Sequence, residues 1–442
     1  MKLSKKTQSV LGCLATACVL PQAHAAQAPQ VGAAAGDVFQ WSVNAGAEYS
    51  DNIRRVSVDE ESQTVGTAGL QLALNVNRPR LLSSVAANLQ YKDYLDNAFD
   101  NEVVGGVDGS LDYALIPQRL HWIVEDNFGQ VANNRQLADT PANRQNVNYL
   151  STGPDIIFGR GRTFLEISGR YEDAYYETTP EDNQSLTGSV ALGRRFSESA
   201  SLALTGSTTE VEYDDEALFS KYQVDSAFLR FEGEGRRTTI NADAGYTQVD
   251  REGGEKSDGP LFRLELSRAV AARSRIGLQA GTEFATPGEA FRRDQQVSGI
   301  PEGADDIVPA SDPYQNDYAY LTWSTVWPRG TFTATLSARS EEHEVVTTQD
   351  RDTRSAAVTF ARQITPRMKA DLNAQYSEEE LVNVDVDFDE TNVGVGLSWL
   401  LGQGISLTLR LNHLEGSSND GLRDYKENRA YLGIGYTRRR AL

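Results

Sequence analysis

VFQWSVNAGAEYSDNIRR, residues Val38–Arg55, alternates strictly between apolar and polar or small side chains. From Phe39 to Tyr49, the odd-numbered residues are aromatic or aliphatic, and most even-numbered residues are polar. A period of two places these sets on opposite faces of a β-strand. Eleven such residues are about the length that a tilted strand needs to cross a bilayer. The stretch therefore predicts a membrane-crossing strand.

The same alternation recurs along the chain. The series Leu70–Val76 runs into a tight turn at Asn77–Arg80, and a second alternating series, Val85–Tyr91, follows it. Nine short turns alternate in this way with ten longer polar loops, which predicts about 20 strands within a range of 18 to 22. An even strand number with both termini on the short-turn side is typical of a single-chain outer-membrane barrel. The predicted fold is all-β, a transmembrane antiparallel β-barrel with short periplasmic turns and long extracellular loops.

The first residues have the features of a secretory signal. Residues 1–25 contain a basic start, an apolar core and a small-x-small cleavage site at Ala23–Ala25. We expect residues 26–36 to form a short periplasmic segment and residues 37–442 to form the barrel. Both cysteines, Cys13 and Cys18, lie in the leader, so the mature chain would contain no disulfide. A lipoprotein signal ending at Cys18 is the alternative.

The charge of the chain disfavours nucleic-acid binding, and its hydropathy argues against a helical membrane protein. The formal net charge is −20, and removal of the leader with its three lysines changes it to −23. Such acidity disfavours nucleic acid as a partner. After residue 25 no apolar run approaches the roughly 20 residues of a membrane helix. A membrane-bound form of this chain would therefore be a barrel, whose wall needs only every second residue to be apolar.

Two positional regularities favour a membrane barrel over a soluble β-sandwich. Arginine is frequent in the short turns, whereas acidic runs such as Asp214–Glu216 and Glu378–Glu380 lie in the predicted loops. Aromatic residues are also concentrated near the predicted strand ends, as in the girdles of membrane barrels. The predicted girdle residues are Trp41, Trp122, Trp327 and Trp399 at the periplasmic side, and Tyr49, Tyr91, Tyr171, Tyr213, Tyr246 and Tyr376 at the outer side.

The other face of the predicted strands is small and polar, as expected for an aqueous lumen. A barrel of about 20 strands leaves room for a channel unless something fills it. Amides and balanced charges suit hydrated sugars, whereas a dense Arg or Lys ladder would indicate anion selectivity. The predicted lumen residues are Asn44, Glu48, Gln71, Asn75, Asn88, Gln90, Glu166, Asn241, Asp243, Arg263, Glu265, Gln279, Glu283, Asn373, Gln375 and Arg410.

Candidate catalytic and metal-binding groups are sparse, and no catalytic residue, cofactor or metal is predicted. Three histidines follow the leader, at positions 121, 343 and 413, and acidic residues near His343 could be assembled into a site only by chance proximity. The run Asp385–Glu390 could hold a divalent cation, because carboxylates are ligands for hard ions. A solvated acidic face bridged through cations to lipopolysaccharide is the simpler interpretation.

Three segments resemble a known family. They are Tyr49–Ile53, Trp122–Gln130 and Thr140–Asn148, with sequences YSDNI, WIVEDNFGQ and TPANRQNVN. They are similar to outer-membrane β-barrel proteins associated with exosortase and PEP-CTERM exopolysaccharide loci. The resemblance implies a role in moving or assembling extracellular polysaccharide at the outer membrane of a Gram-negative bacterium. It supplies no functional residues to transfer.

Together these observations predict a non-enzymatic barrel channel that takes part in exopolysaccharide export or assembly. A general porin-like diffusion channel is the first alternative, and an adhesion or scaffold barrel without transport is the second. The expected partners are outer-membrane lipid and lipopolysaccharide, with polysaccharide and periplasmic export components.

The longest predicted loop, Thr286–Pro313, contains four prolines and is expected to fold over the mouth and restrict the pore. A surface loop is the alternative. Deletion of residues 288–310 should raise single-channel conductance in a planar bilayer, because an obstruction is removed. An unchanged conductance would reject this role for the loop.

Overall fold

The computed structural model describes residues 37–134, 137–159, 161–215, 218–254, 256–286 and 313–441. The predicted leader, the segment 26–36 and nearly all of the loop 286–313 lie outside these residues. Within them, the chain forms one antiparallel sheet of 20 strands, in which each strand pairs with its neighbours in sequence. The predicted barrel fold and the predicted strand number are confirmed.

The strands are β1 (Val38–Ser50), β2 (Gln63–Arg78), β3 (Leu81–Tyr94), β4 (Glu102–Ile116), β5 (Leu120–Ala132), β6 (Arg144–Phe158), β7 (Thr163–Tyr176), β8 (Asn183–Ser197), β9 (Ala200–Tyr213), β10 (Tyr222–Glu234), β11 (Thr238–Arg251), β12 (Ser257–Ala271), β13 (Ser274–Ala285), β14 (Tyr314–Trp327), β15 (Gly330–His343), β16 (Arg351–Thr365), β17 (Met368–Leu381), β18 (Val386–Gly402), β19 (Ile405–Ser418) and β20 (Tyr425–Ala441). Two short 3₁₀ turns, Pro141–Asn143 and Thr347–Gln349, lie in loops. None of the described residues forms a helix long and apolar enough to span a membrane.

Pairing of the first and last strands closes the sheet into a barrel. β1 and β20 pair without interruption from Val38 opposite Ala441 to Ser50 opposite Arg429. β20 includes the three consecutive arginines Arg438–Arg440 near the end of the chain. Closure leaves no unpaired sheet edge, and this is a requirement for a β-structure in hydrocarbon.

The two faces of the wall differ as the alternation predicts. On the outer face, aliphatic residues such as Leu204, Leu336 and Leu432 are more than half exposed. On the inner face, polar residues such as Gln71 and Thr205 are buried. An apolar exterior around a polar interior is the reverse of a soluble protein and fits a wall that faces lipid.

The strands extend further at the extracellular end than predicted. The segment 378–390 was expected to be a loop, but β17 continues to Leu381 and β18 begins at Val386, so the connection is only four residues long. Its acidic residues still alternate across the two faces, and Leu381 and Phe388 are buried on the inner one. Carboxylates can stand on a strand that projects beyond the bilayer, because water solvates them there. Acidic composition therefore indicated solvent exposure and not the absence of a strand.

A tyrosine fills the inner side of the seam between β1 and β20. Tyr431 is 2% exposed and lies over Gly46 and Gly433, which are paired across the two strands. A Cβ atom at residue 46 would lie 2.7 Å from the Tyr431 ring and 2.6 Å from the Leu432 carbonyl oxygen, and one at residue 433 would overlap the ring. Only glycine leaves room for the ring at these positions.

We predict that Gly433→Ala destabilises the barrel by about 1 to 3 kcal/mol, because the new methyl group overpacks the Tyr431 ring. The measurement is the midpoint of denaturant unfolding in detergent. Gly206→Ala is the control, since its Cβ would have no neighbour closer than 4.0 Å. In a Tyr431→Ala background the Gly433→Ala change should cost nothing further. Equal costs in both backgrounds would show that the ring is not the cause.

Candidate functional site

The inner face of the barrel carries the residues that sequence analysis assigned to the lumen. All 16 lie on the inward side of their strands, and Glu48, Gln71, Gln90, Asp243, Glu283, Gln375 and Arg410 are among the buried ones. Their neighbours in sequence, for example Tyr49, Leu70 and Tyr91, are exposed on the outer face. The inner surface therefore carries many polar side chains, and clusters of buried apolar residues such as Val147 with Tyr149 lie between them.

Nine of the ten predicted girdle residues lie on the outer face. The rings of the tryptophans lie near the short-turn ends, and Trp122, Trp327 and Trp399 are 42 to 52% exposed. Tyr213 differs from the prediction. It is 3% exposed on the inner face and packs against Phe219 and Tyr222, with ring centroids 5.1 and 6.3 Å away. The apolar phase of β9 places residue 213 on the face opposite to that of the exposed Leu204, so the alternation was a better guide than residue type.

Residues 316–438 match a known family model. Its description is "Putative beta-barrel porin 2". The matched part corresponds to most of β14 through most of β20, so we call these strands the porin-matched segment. A comparison with curated proteins gives no match.

Several solved outer-membrane proteins are similar in structure. A point mutant of the ferric enterobactin receptor PfeA of Pseudomonas aeruginosa is 11% identical, with a TM-score of 0.45, over 92% of this chain and 81% of the receptor. OccAB3 of Acinetobacter baumannii is 9% identical, with a TM-score of 0.37, over 92% of this chain and 100% of that one. The loop-deleted outer-membrane protein OmpT of Vibrio cholerae is 11% identical, with a TM-score of 0.34, over the same shares.

One side of the lumen, on β10–β13, is lined by ion pairs. Arg230 forms two hydrogen bonds of 2.9 Å with Asp243, and Arg263 contacts both Asp243 and Glu283. Both guanidinium groups also lie over the ring of Phe228, at 5.2 and 5.9 Å from its centroid. Both arginines of this charged wall are thus paired with carboxylates of the same wall.

A different side, on β17–β19 of the porin-matched segment, is lined mainly by carboxamides. Asn373 and Asn412 flank Gly394 on the inner face, and Gln375 lies directly opposite Asn392. Below them Arg410 reaches across Gly396 to Asp371, with a distance of 3.3 Å between Nη2 and Oδ2. We call this surface the amide track. Of the residues in the amide track, only Asn373, Gln375 and Arg410 are among the predicted lumen residues.

Near the extracellular end the lumen contains a buried ionic cluster. Arg55 contacts Glu427 at 3.1 Å and lies over the Tyr425 ring at 5.3 Å. Arg429 contacts the same Glu427 at 2.7 Å, and Glu427 also accepts a hydrogen bond of 2.6 Å from the Ser50 hydroxyl. Glu427 is fully buried, so each of these bonds replaces water that the carboxylate would otherwise bind.

The connection between β5 and β6, described over residues 133–134 and 137–143, folds into this end of the lumen. Asn143 holds it in shape: its side-chain amide donates to the Asn134 carbonyl at 2.8 Å, and its side-chain oxygen accepts from the Asn134 N–H at 2.9 Å. Ala138 packs with Leu414 and Tyr425 on the last two strands. We call these residues the inner loop. They narrow the extracellular mouth from the inside.

Charged contacts anchor the inner loop at two places. Asp139 faces Arg144 at 2.8 Å and Arg55 at 3.8 Å, and the Leu137 carbonyl accepts a bond of 3.1 Å from Arg423. Burial alone would raise the pKa of Asp139, but Arg144 and Arg55 lower it well below its ordinary value. The loop anchor is therefore ionised under all physiological conditions.

A second buried cluster, in the porin-matched segment, supports the same mouth. Arg351 bonds Glu341 at 2.5 Å and Glu379 at 3.2 Å, and Arg423 contacts Glu379 at 3.7 Å while lying over Phe388 at 4.2 Å. Through Arg423 this cluster joins the inner loop. The two clusters connect distant parts of the barrel wall across the mouth.

The histidines do not form a catalytic constellation in the described residues. His343 is buried against the Tyr314 ring, while Glu342 lies on the other face of β15. Glu341 is bonded to Arg351, and Asp350 accepts from the His343 backbone N–H. Glu341 and Asp350 are thus engaged in other contacts, and Glu342 lies on the face opposite to that of His343.

The acidic run 385–390 is divided in a similar way. Asp389 accepts a bond of 2.6 Å from Tyr376 on the outer face, whereas Glu390 accepts one of 3.0 Å from Tyr425 inside. The proposed cation ligands therefore do not converge, and the described residues contain no cluster of three or more suitable metal-binding side chains.

We predict that Asp139→Asn loosens the inner loop, because Arg55 and Arg144 lose a shared anion. Exchange of the amide hydrogens in residues 137–143 should accelerate about 30-fold, which corresponds to about 2 kcal/mol. The effect is smaller than for a fully buried ion pair, because Asp139 retains some exposure. Glu61→Gln is the control, since it removes only the exposed pair with Arg54. An identical exchange rate in both variants would contradict this anchoring role.

The same anchor should resist acid. A lowered pKa means that the stabilisation is complete above the ordinary Asp pKa of 3.8 and is lost only as the pH falls through the still lower folded value. Exchange protection of residues 137–143, corrected for the intrinsic rate, should therefore be equal at pH 7 and pH 5. Loss of protection between these values would point to a different titrating group.

Proposed function

We propose that this protein is an outer-membrane channel that takes part in exopolysaccharide export or assembly. The observation that carries the proposal is a closed wall with an apolar exterior and an inner face that carries many amides and paired charges. Amides offer both donors and acceptors to hydroxyl groups. The resemblance of YSDNI, WIVEDNFGQ and TPANRQNVN to barrels of exopolysaccharide loci supports the substrate class.

Export of the chain would use the predicted signal peptide, residues 1–25, followed by insertion of residues 37–442 into the outer membrane. Residues 26–36 would remain in the periplasm. Lipid and lipopolysaccharide would surround the wall, and periplasmic export components would deliver the polymer to the short-turn end. The proposed activity is transport, and the histidines have structural contacts: His121 bonds Asp112, His413 bonds Asn428 and His343 packs on Tyr314.

A general diffusion porin is the second candidate, and the match of residues 316–438 to a porin model favours it. The two candidates differ at the mouth. A diffusion porin passes many small solutes, whereas an export channel would pass a polymer beside the inner loop, which lies inside the extracellular mouth. A scaffold barrel would retain the same wall but would not conduct ions.

Gene deletion combined with conductance measurements separates these candidates. For an export channel, deletion should lower extracellular polysaccharide and cause periplasmic accumulation, and the purified barrel should conduct ions in a planar bilayer. Conductance with normal polysaccharide secretion would indicate a general porin. A folded barrel without conductance would contradict both channel candidates.

Two glycine substitutions test whether the lumen itself is the path. Gly277 lies on the inner face and Gly188 on the outer face. At each position a new Cβ atom would lie about 4.0 Å from its nearest neighbour. Gly277→Trp should lower conductance and should restore secretion only partly in the deletion strain. Gly188→Trp should behave as wild type. Equal behaviour of the two variants would argue against passage through the lumen.

A further inference from the structure

The amide track forms a regular set of rungs on the inner wall. In the register of β17–β19, Asn373, Gly394 and Asn412 lie side by side, as do Asp371, Gly396 and Arg410 one rung below. One rung above, Gln375 lies opposite Asn392. The three rungs follow one another along the strands, and Leu414 beside the upper one packs against Ala138 of the inner loop, so they form a short path directly below the extracellular mouth.

Glycine at the centre of two rungs shapes this path. The side-chain oxygens of Asn373 and Asn412 converge over Gly394, where any Cβ atom would overlap both. The Asp371 carboxylate occupies the equivalent space over Gly396. The absence of side chains at these two positions gives the two carboxamides and the Asp371 carboxylate room to lie against the wall.

The uppermost rung contains two oxygen atoms that lack protein donors. Gln375 is 5% exposed and Asn392 is 9% exposed, and neither Oε1 of Gln375 nor Oδ1 of Asn392 has a hydrogen-bond partner among the described residues. Buried polar atoms are normally paired, and an unpaired acceptor favours a ligand or water that can donate. A hydroxyl group is such a donor.

The charges of the two walls distinguish the classes of ligand. The amide track contains one ion pair, Asp371 with Arg410, and four neutral carboxamides, and Lys369 lies one rung below, where it interacts electrostatically with Asp371. The charged wall on β10–β13 uses its guanidinium groups to bind its own carboxylates. An anionic ligand would therefore find no free cation among these described pairs, whereas a neutral polyol could both donate to and accept from the carboxamides.

We propose that the amide track is a binding path for neutral, hydroxyl-rich saccharide units within the lumen. This deepens the proposed function and rests on it. The carboxamides of Asn373 and Asn412 bind hydroxyl groups of one saccharide unit beside Gly394. The side-chain oxygens of Gln375 and Asn392, one rung above, accept hydrogen bonds from the hydroxyl groups of the next unit. Contacts of similar strength along the path let a chain advance without a single tight site.

The test uses a reconstituted channel with maltohexaose as the neutral probe and an oligogalacturonate of the same length as the anionic one. Transient blocking of the ionic current is recorded against probe concentration. The test variant is the double substitution Asn373→Ala with Asn412→Ala. Its matched control is Asn241→Ala, which removes an inward asparagine that bonds Glu265 on the charged wall at 3.0 Å.

Maltohexaose should block the wild-type channel and the control at similar concentrations. The double variant should need about tenfold more, as expected for two lost hydrogen bonds of ordinary strength. Equal half-blocking concentrations in all three proteins would overturn the proposal and would leave only water on the track. Stronger blocking by oligogalacturonate than by maltohexaose would overturn the neutral-ligand assignment.

Binding in detergent separates this inference from the channel function. Calorimetric titration of maltohexaose into the folded barrel requires no conductance. Loss of binding in the double variant alone, in a barrel that does not conduct, would support the track and reject the channel. Conductance without any track-dependent binding or blocking would do the opposite. An intact heat-modifiable band on gels establishes that each variant is folded.

Discussion

The constraint on which the structure depends is the pairing of backbone N–H and C=O groups in a membrane, where water cannot satisfy them. The uninterrupted ladder between β1 and β20 removes the last free edge, and every other strand is then paired on both sides. Tight closure also demands close approach of the terminal strands. Gly46 and Gly433 allow this while Tyr431 covers the seam from inside. The polar lining and the extracellular mouth are both formed by this closed wall.

Inside that wall, glycine and large polar side chains act together. Arg410 crosses Gly396 to reach Asp371, and Asn373 meets Asn412 over Gly394. Such side chains lie along the wall in the space that the glycines leave. The extracellular end is different, because buried ion pairs and the inner loop fill it. Polar side chains thus line the wall along β17–β19, whereas ion pairs and the inner loop occupy the extracellular end.

The sequence was sufficient for the wall and insufficient for the mouth. A period of two specifies which residues face inward, so the barrel, the strand number and the face of residues such as Glu48 and Asp243 could be predicted. Tyr213 was misassigned because aromatic type was weighed above its phase. The inner loop could not be predicted, because its contacts join Leu137 to Arg423, 286 residues apart, and such contacts leave no periodic signal. The abundance of asparagine in TPANRQNVN, which includes Asn143, was the one local indication.

The anchors of the inner loop have a consequence for biogenesis. The loop belongs to the third hairpin, but Arg423, Leu414 and Tyr425 belong to the last one and are therefore synthesised almost 300 residues later. A partly assembled sheet would lack these partners, so its loop would remain unanchored. The inner loop can thus become anchored only when the final hairpin is in place. The contacts that narrow the mouth therefore form only once assembly of the barrel is complete.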